Sequence, residues 1–202
     1  IMQLLWWFGI HGPNVMSAVT TPFMTKMMAT NLELYQSGEG VTSAGVFYSA
    51  GSQYNIISGP FGAGWFSPTG SGITMGLIIA VMLFSKRDDF KAIAKLAIPC
   101  GIFNINEPII FGIPMVMNAM FAVPFFLAPI ACVCCGYLVQ SLGLCPLFII
   151  DVPWTTPIGL FGFLASSGNI MGGIWQIVII VGVSTLIYTP FVIAANRQEA
   201  EA

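Results

Sequence analysis

The sequence predicts an all-α integral membrane protein in which transmembrane helices alternate with re-entrant or broken helical hairpins. Three observations predict it. The 202 residues are 56% hydrophobic and only 7% charged, whereas soluble domains carry roughly a quarter charged residues. Two apolar segments, Phe121 to Leu142 and Ile170 to Ala195, are long enough to cross a bilayer core. Three further apolar stretches, Ile1 to Thr30, Ala97 to Asn118 and Val152 to Ser167, are broken by Gly, Pro or polar residues. Membranes accept such backbone only where protein or an aqueous cavity covers it, and broken helices surround the substrate in many transporters.

The chain opens on Ile1 inside an apolar run that reaches Phe8, with no initiator Met, no basic region and no cleavage signal. It is therefore expected to be a fragment with membrane helices upstream. The polar, Gly/Ser-rich stretch from Asn31 to Ala63 reads as a loop with short helical pieces at most. Thr69 to Phe84 reads as a third helix, about 24 Å long at 1.5 Å per residue and marginal for a span. Asp88 to Lys95 reads as a short amphipathic cytoplasmic helix with a solvated face.

Charge fixes the expected orientation. Lys86, Arg87, Lys91 and Lys95 follow one apolar helix and Arg197 follows the last, so both places are expected in the cytoplasm. Two points on one side require an even number of crossings between them. The two strong spans supply that number, so the stretches around Glu107 and Trp154 are expected to be re-entrant or otherwise not complete single crossings.

The same composition excludes other classes. A formal charge of −2 without a basic block offers nothing for nucleic-acid phosphates. The five cysteines sit in or beside apolar segments, and the pair Cys132 and Cys135 has no second ligand pair, so they read as small hydrophobes. No nucleophile elbow, zinc-protease or phosphate-loop motif occurs, so neither a catalytic nucleophile, a cofactor nor a metal is expected. Gly70, Gly72 and Gly76 read as a close-packing stripe.

Three segments carry polar chemistry in an apolar setting. Glu107 lies in Asn104-Ile105-Asn106-Glu107-Pro108, where a carboxylate at membrane depth costs several kcal/mol unless something polar meets it. The amides of Asn104 and Asn106, with the backbone groups freed by Pro108, form a polar cradle. The competing reading is a structural carboxylate at a helix end. His11 stands between Gly9 and Gly12, beside Trp6, Trp7 and Asn14; it is either a ligand-facing imidazole or a turn residue satisfied by backbone. Trp154, in Pro153-Trp154-Thr155-Thr156-Pro157, is either a stacking platform for a pyranose face or part of an interfacial aromatic belt with Trp6, Trp7, Trp65 and Trp175.

The run Gly101-Ile-Phe-Asn-Ile-Asn-Glu-Pro-Ile-Ile-Phe-Gly-Ile-Pro114 resembles the signature of phosphotransferase-system IIC permeases of the lactose, cellobiose and diacetylchitobiose type. Trp7-Phe-Gly-Ile-His-Gly12 and Val152-Pro-Trp-Thr-Thr-Pro157 resemble two other motifs of that family, in the same order. Gly70-Ser71-Gly72 is similar to its Gly-Gly-Ser-Gly hairpin, with Thr69 in place of the first Gly. The resemblance implies a carboxy-terminal, sugar-binding transport domain over residues 1–202, within a multi-pass protein of the bacterial inner membrane. It implies that Glu107 and His11 hydrogen-bond a β-linked disaccharide and that Trp6, Asn106 and Trp154, with Asn14 nearby, line its site. The implied partners are the cytoplasmic IIB protein, IIA indirectly, membrane lipid, and a second copy joined through the upstream half. Two rival readings stay open: an intramembrane transferase or hydrolase using His11 and Glu107 as acid and base, and an ion-coupled sugar symporter.

Overall fold

The computed structural model describes residues 1–200 and is almost entirely helical. Its elements are α1 (Met2–Trp7), α2 (Gly12–Ser37), a short antiparallel pair β1 (Val41–Thr42) and β2 (Gly45–Val46), α3 (Gly59–Trp65), α4 (Met75–Phe84), α5 (Asp88–Ile102), α6 (Glu107–Gly112), α7 (Ala119–Ser141), α8 (Leu160–Ala165), α9 (Ile170–Ile177), a π-helical segment (Val178–Val183) and α10 (Ser184–Ala200). Two uninterrupted helical rods have the length and hydropathy of membrane spans, Ala119–Ser141 and Ile170–Arg197. Both strong spans of the sequence reading are therefore present. The three stretches expected to be broken are broken, at 8–11, at 103–106 and before α8. At 1.5 Å per residue, the six residues of α6 or of α8 reach about 9 Å, far short of a bilayer core.

Four expectations need correction. The helix read over Thr69 to Phe84 forms only from Met75, because Thr69, Gly70, Gly72 and Ile73 all adopt positive φ and coil the chain into a turn. Asn31 to Ala63 is not a loop throughout: α2 runs on to Ser37 and α3 starts at Gly59. Asn31 is fully buried there, its amide accepting the Asn55 N–H at 2.8 Å and donating to the Asn55 carbonyl at 2.8 Å. A polar residue that looked like loop composition is thus a backbone clamp. The amphipathic segment from Asp88 does not stop at Lys95 but continues to Ile102, since Ala94, Ala97 and Gly101 bury their small side against α4. Trp65 is no belt residue: it is fully buried and stacks on Phe148 at 5.1 Å with a 5° interplanar angle.

Two apolar cores hold the rods together. One gathers Leu77, Phe90, Ile109, Phe121 and Tyr188 from α4, α5, α6, α7 and α10. The other gathers Trp65, Ile73, Cys132, Cys145, Phe148 and Phe161 around α3, the second half of α7 and α8. The Gly-rich turn 67–74 runs between them. Gly76 lets α4 approach α10 so closely that a Cβ there would strike the backbone of Ser184, the role small residues play between membrane helices. Buried Gln176 ties the second core across elements. Its carbonyl accepts the N–H groups of Gly159 and Gly162, both at 2.8 Å, and its amide donates to the Gly64 carbonyl at 3.0 Å. Those two N–H groups lie at the start of α8, where the helix has no acceptor of its own.

Candidate substrate cavity

A cavity of about 750 Å³ opens where the turn 67–74, the break 103–106, the loop 151–157 and the α1–α2 junction meet. Trp6, His11, Asn14, Asn106, Glu107 and Trp154 all line it. The structure therefore brings together every residue singled out from sequence, from three segments separated by about ninety and fifty positions in the chain.

Each wall has a local cause. Helix α1 ends at Gly9 in a left-handed turn, with the Ile10 N–H on the Leu5 carbonyl, and the chain reverses into α2. His11 caps α2: its Nδ1 accepts the Asn14 N–H at 3.2 Å, and Pro13 follows at the first turn. An Nδ1 that accepts leaves Nε2 to carry the ring hydrogen. That nitrogen has no partner among the described residues. The turn role read from sequence is thus met by Nδ1, while Nε2 is left without a protein partner beside the cavity. The Trp6 ring sits 4.8 Å from the His11 ring, and its buried Nε1 is unpartnered. Gly12 serves the fold rather than a ligand, because a Cβ there would strike the Met2 carbonyl.

Opposite, α5 ends on Asn104 at φ 66°, and Asn106 precedes α6. The Asn106 amide, 4% exposed, donates to the Ser71 carbonyl at 2.6 Å and lies where a Cβ on Gly70 would stand. Gly70 is therefore required twice, for its φ of 80° and for the room it leaves. Asn106 faces the cavity but its N–H is spent on the fold. Glu107, the first residue of α6, is half-buried, at the end of the helix where negative charge is favoured. Its carboxylate makes no hydrogen bond or ion pair with any described residue; Arg87 and Asp89 form the salt bridge found among them. Of the competing structural reading, the place at a helix end is found and the pairing with a basic residue is not, among the described residues. Trp154 stands 64% exposed at the rim, its ring free and its backbone carbonyl held by Asn104.

Ser67, Gly70 and Ser71 line the cavity without having been expected there, and Asn104, read from sequence as part of the polar cradle, lines it too. The signal for Gly70 and Ser71 lies in the Gly-Ser-Gly run, read from sequence as a packing stripe and, by resemblance, as a hairpin, but not as a cavity wall. An unpartnered carboxylate, an imidazole N–H and the exposed indole face of Trp154 around one space can hold a polar ligand with flat apolar faces and many hydroxyls.

Fold and cavity define a helical integral membrane protein with a ligand-sized polar chamber between broken helices. A family model described as "Phosphotransferase system, EIIC" matches residues 1–129. The cellobiose-specific EIIC component of Lactococcus lactis subsp. lactis (strain IL1403) is 36% identical over 209 residues, covering 98% of this chain and 42% of that protein. The oligo-beta-mannoside-specific EIIC component of Bacillus subtilis (strain 168) is 34% identical over 203 residues, covering 97% and 42%. The crystal structure of the transporter ChbC, the IIC component from the N,N'-diacetylchitobiose-specific phosphotransferase system, matches with a TM-score of 0.86 at 32% identity, over 98% of this chain and 43% of that one. The chain belongs to the phosphotransferase-system EIIC family, in its cellobiose and lactose branch. It spans about two-fifths of the length of these relatives.

Proposed function

We propose that this chain is the carboxy-terminal, sugar-holding transport domain of a phosphotransferase-system permease for a β-linked disaccharide. One observation carries the reading: the unpartnered carboxylate of Glu107 lines the same cavity as the free His11 Nε2–H and the rings of Trp6 and Trp154. Aromatic faces suit the apolar faces of a pyranose, and a carboxylate accepts bonds from two hydroxyls. The relatives named for cellobiose, oligo-β-mannoside and diacetylchitobiose support the β-linked class.

Glu107 holds the sugar hydroxyl that receives phosphate, and His11 donates to a neighbouring oxygen. After inward movement of the domain, that hydroxyl oxygen attacks the phosphorus of a cysteine-phosphate on cytoplasmic IIB. The thiolate leaves and the hydroxyl proton is released. The related lactose-specific EIICB component of Staphylococcus aureus carries both components in its name, which supports IIB as the partner. IIA acts only through IIB. The protein crosses the bacterial inner membrane several times in contact with lipid. Lys86 to Lys95 and Arg197 face the cytoplasm, and the homodimer is held by segments outside this chain.

Uptake of labelled cellobiose, lactose and diacetylchitobiose into vesicles holding the full-length protein is the test. Uptake of one sugar as its phosphate, only with phosphorylated IIB inside, is expected. Uptake driven by an ion gradient without IIB, or turnover without IIB, would replace this reading with a symporter or an intramembrane enzyme.

A further inference from the structure

Asn104 points away from direct ligand contact and toward a different role. Its side chain uses both ends on backbone: Oδ1 accepts the Thr69 N–H at 2.6 Å, and Nδ2 donates to the carbonyls of Trp154 and of Thr156, the latter at 2.9 Å. The three segments joined are 35 and 50 or more positions apart in the chain. The residue is 7% exposed, so these bonds form away from bulk water, where each counts for more.

The backbone of Asn104 has its own task. The Ile105 N–H reaches the Cys100 carbonyl and the Asn104 N–H reaches the Gly101 carbonyl, a helix ending that requires a left-handed residue at 104. Helices α1, α2 and α7 end in the same way on Gly9, Gly38 and Gly143, and α8 on Ser167. Glycine is the least strained choice there, and asparagine is tolerated. Asn104 and Ser167 depart from glycine; the Ser167 hydroxyl has no partner among the described residues, whereas the Asn104 side chain bridges two other segments.

We propose that Asn104 is a positioning residue for substrate recognition: it fixes the loop bearing Trp154 against the segment bearing Glu107 and the turn 67–74. This inference rests on the sugar-site reading of Trp154, although the positioning itself is measurable without sugar. With this tie, the stacking ring of Trp154 and the carboxylate of Glu107 meet a sugar at a fixed spacing. Without it, Trp154 stays on the protein but loses its register.

Asn104→Gly keeps the left-handed backbone and removes all three side-chain bonds. Asn104→Asp keeps an acceptor for Thr69 and loses both donated bonds. Full-length protein labelled with 5-fluorotryptophan in detergent gives a fluorine line for Trp154, assigned by its loss in Trp154→Phe. In both variants without sugar, the Trp154 line is expected to shift or broaden while those of buried Trp65 and of Trp175 stay in place. Cellobiose affinity, read by isothermal titration, should fall about tenfold. An unchanged Trp154 line in Asn104→Gly would overturn the proposal and leave asparagine there for its backbone alone. Displacement of the Trp65 and Trp175 lines in both variants would overturn it too, making Asn104 a general fold residue. A moved Trp154 line with unaltered cellobiose affinity would support the tie and remove Trp154 from the sugar site. Failure of the wild type to bind cellobiose, lactose or diacetylchitobiose would sink the sugar reading, while the fluorine result would still decide the tie.

Discussion

The two walls of the cavity are built differently. The turn 67–74 is pinned from outside by three buried side chains: Asn104 on the Thr69 N–H, Asn106 on the Ser71 carbonyl, and Tyr188 on the Gly72 carbonyl at 2.7 Å. Inside it, the Thr74 hydroxyl donates to the Thr69 carbonyl at 3.0 Å. The α1–α2 junction is held far more lightly. Trp7 accepts the Met117 N–H at 3.0 Å and donates its indole N–H to the Asn118 carbonyl at 3.5 Å, while the His11 cap is purely local. The difference separates two uses of polar residues in one apolar setting. The amides are spent on irregular backbone, Asn104 through both ends and Asn106 through one N–H. The groups left over at the cavity, the Glu107 carboxylate, the His11 Nε2, the Asn106 Oδ1 and the Asn14 side chain, have no hydrogen-bond partner among the described residues.

The largest effect should come from the pinned wall. Gly70→Ala places a side chain at φ 80° and against the Asn106 amide. It should destabilise the protein by about 2–4 kcal/mol, from backbone strain and a displaced hydrogen bond. Thermal unfolding in detergent checks this, and a normal melting temperature would show the turn to be less constrained than described. Tyr188→Phe leaves the Gly72 carbonyl buried without its donor and should cost about 1–3 kcal/mol by the same measurement.

On the lightly held side and at the rim, substitutions should change binding more than folding. Trp154→Ala should weaken sugar binding by about 1–3 kcal/mol through lost stacking, with an unchanged melting curve, because the ring is exposed. Normal binding in Trp154→Ala together with lost binding in Trp175→Ala would reverse the assignment.

The smallest effect is expected outside both walls. The hydrogen bonds from Arg87, at 2.6 and 3.1 Å, hold the Asp89 carboxyl below its usual range. A depressed folded pKa contributes stability above the unfolded pKa and loses it as pH falls through the folded one. Asp89 is exposed, so Asp89→Asn should leave the melting temperature near neutral pH almost unchanged and only slightly flatten its acid limb.

How much of this was legible in the sequence follows from the same physics. The rods α7 and α9–α10 announce themselves because uninterrupted apolar length is a property of one segment. The breaks are legible from Pro108, Gly9 and Pro153, whose backbone effects are local. The late start of the helix read over Thr69 to Phe84 was not, because the left-handed turn before it is stabilised by Asn104, Asn106 and Tyr188, all distant in sequence. Asn31 misled for the same reason: its partner Asn55 lies 24 positions on, and without it an asparagine looks like loop composition. Trp65 looked like a belt residue until Phe148 supplied its stacking partner. The candidate site was legible residue by residue from polar groups in apolar surroundings, but not the division between side chains that shape the cavity and those left open to it.

Glu107→Gln tests that division most directly. Glutamine keeps the shape and loses the charge and one acceptor, and no protein partner is disturbed, since Glu107 has none among the described residues. The measurement is cellobiose, lactose and diacetylchitobiose titration of the purified full-length variant beside its melting curve, followed by reconstituted uptake with phosphorylated IIB. The account predicts a wild-type melting temperature, loss of most binding and uptake, and impaired function also in Glu107→Asp, where the carboxylate is withdrawn by one methylene. Wild-type binding and uptake in Glu107→Gln would contradict it, and would remove from the cavity the group on which the functional reading rests.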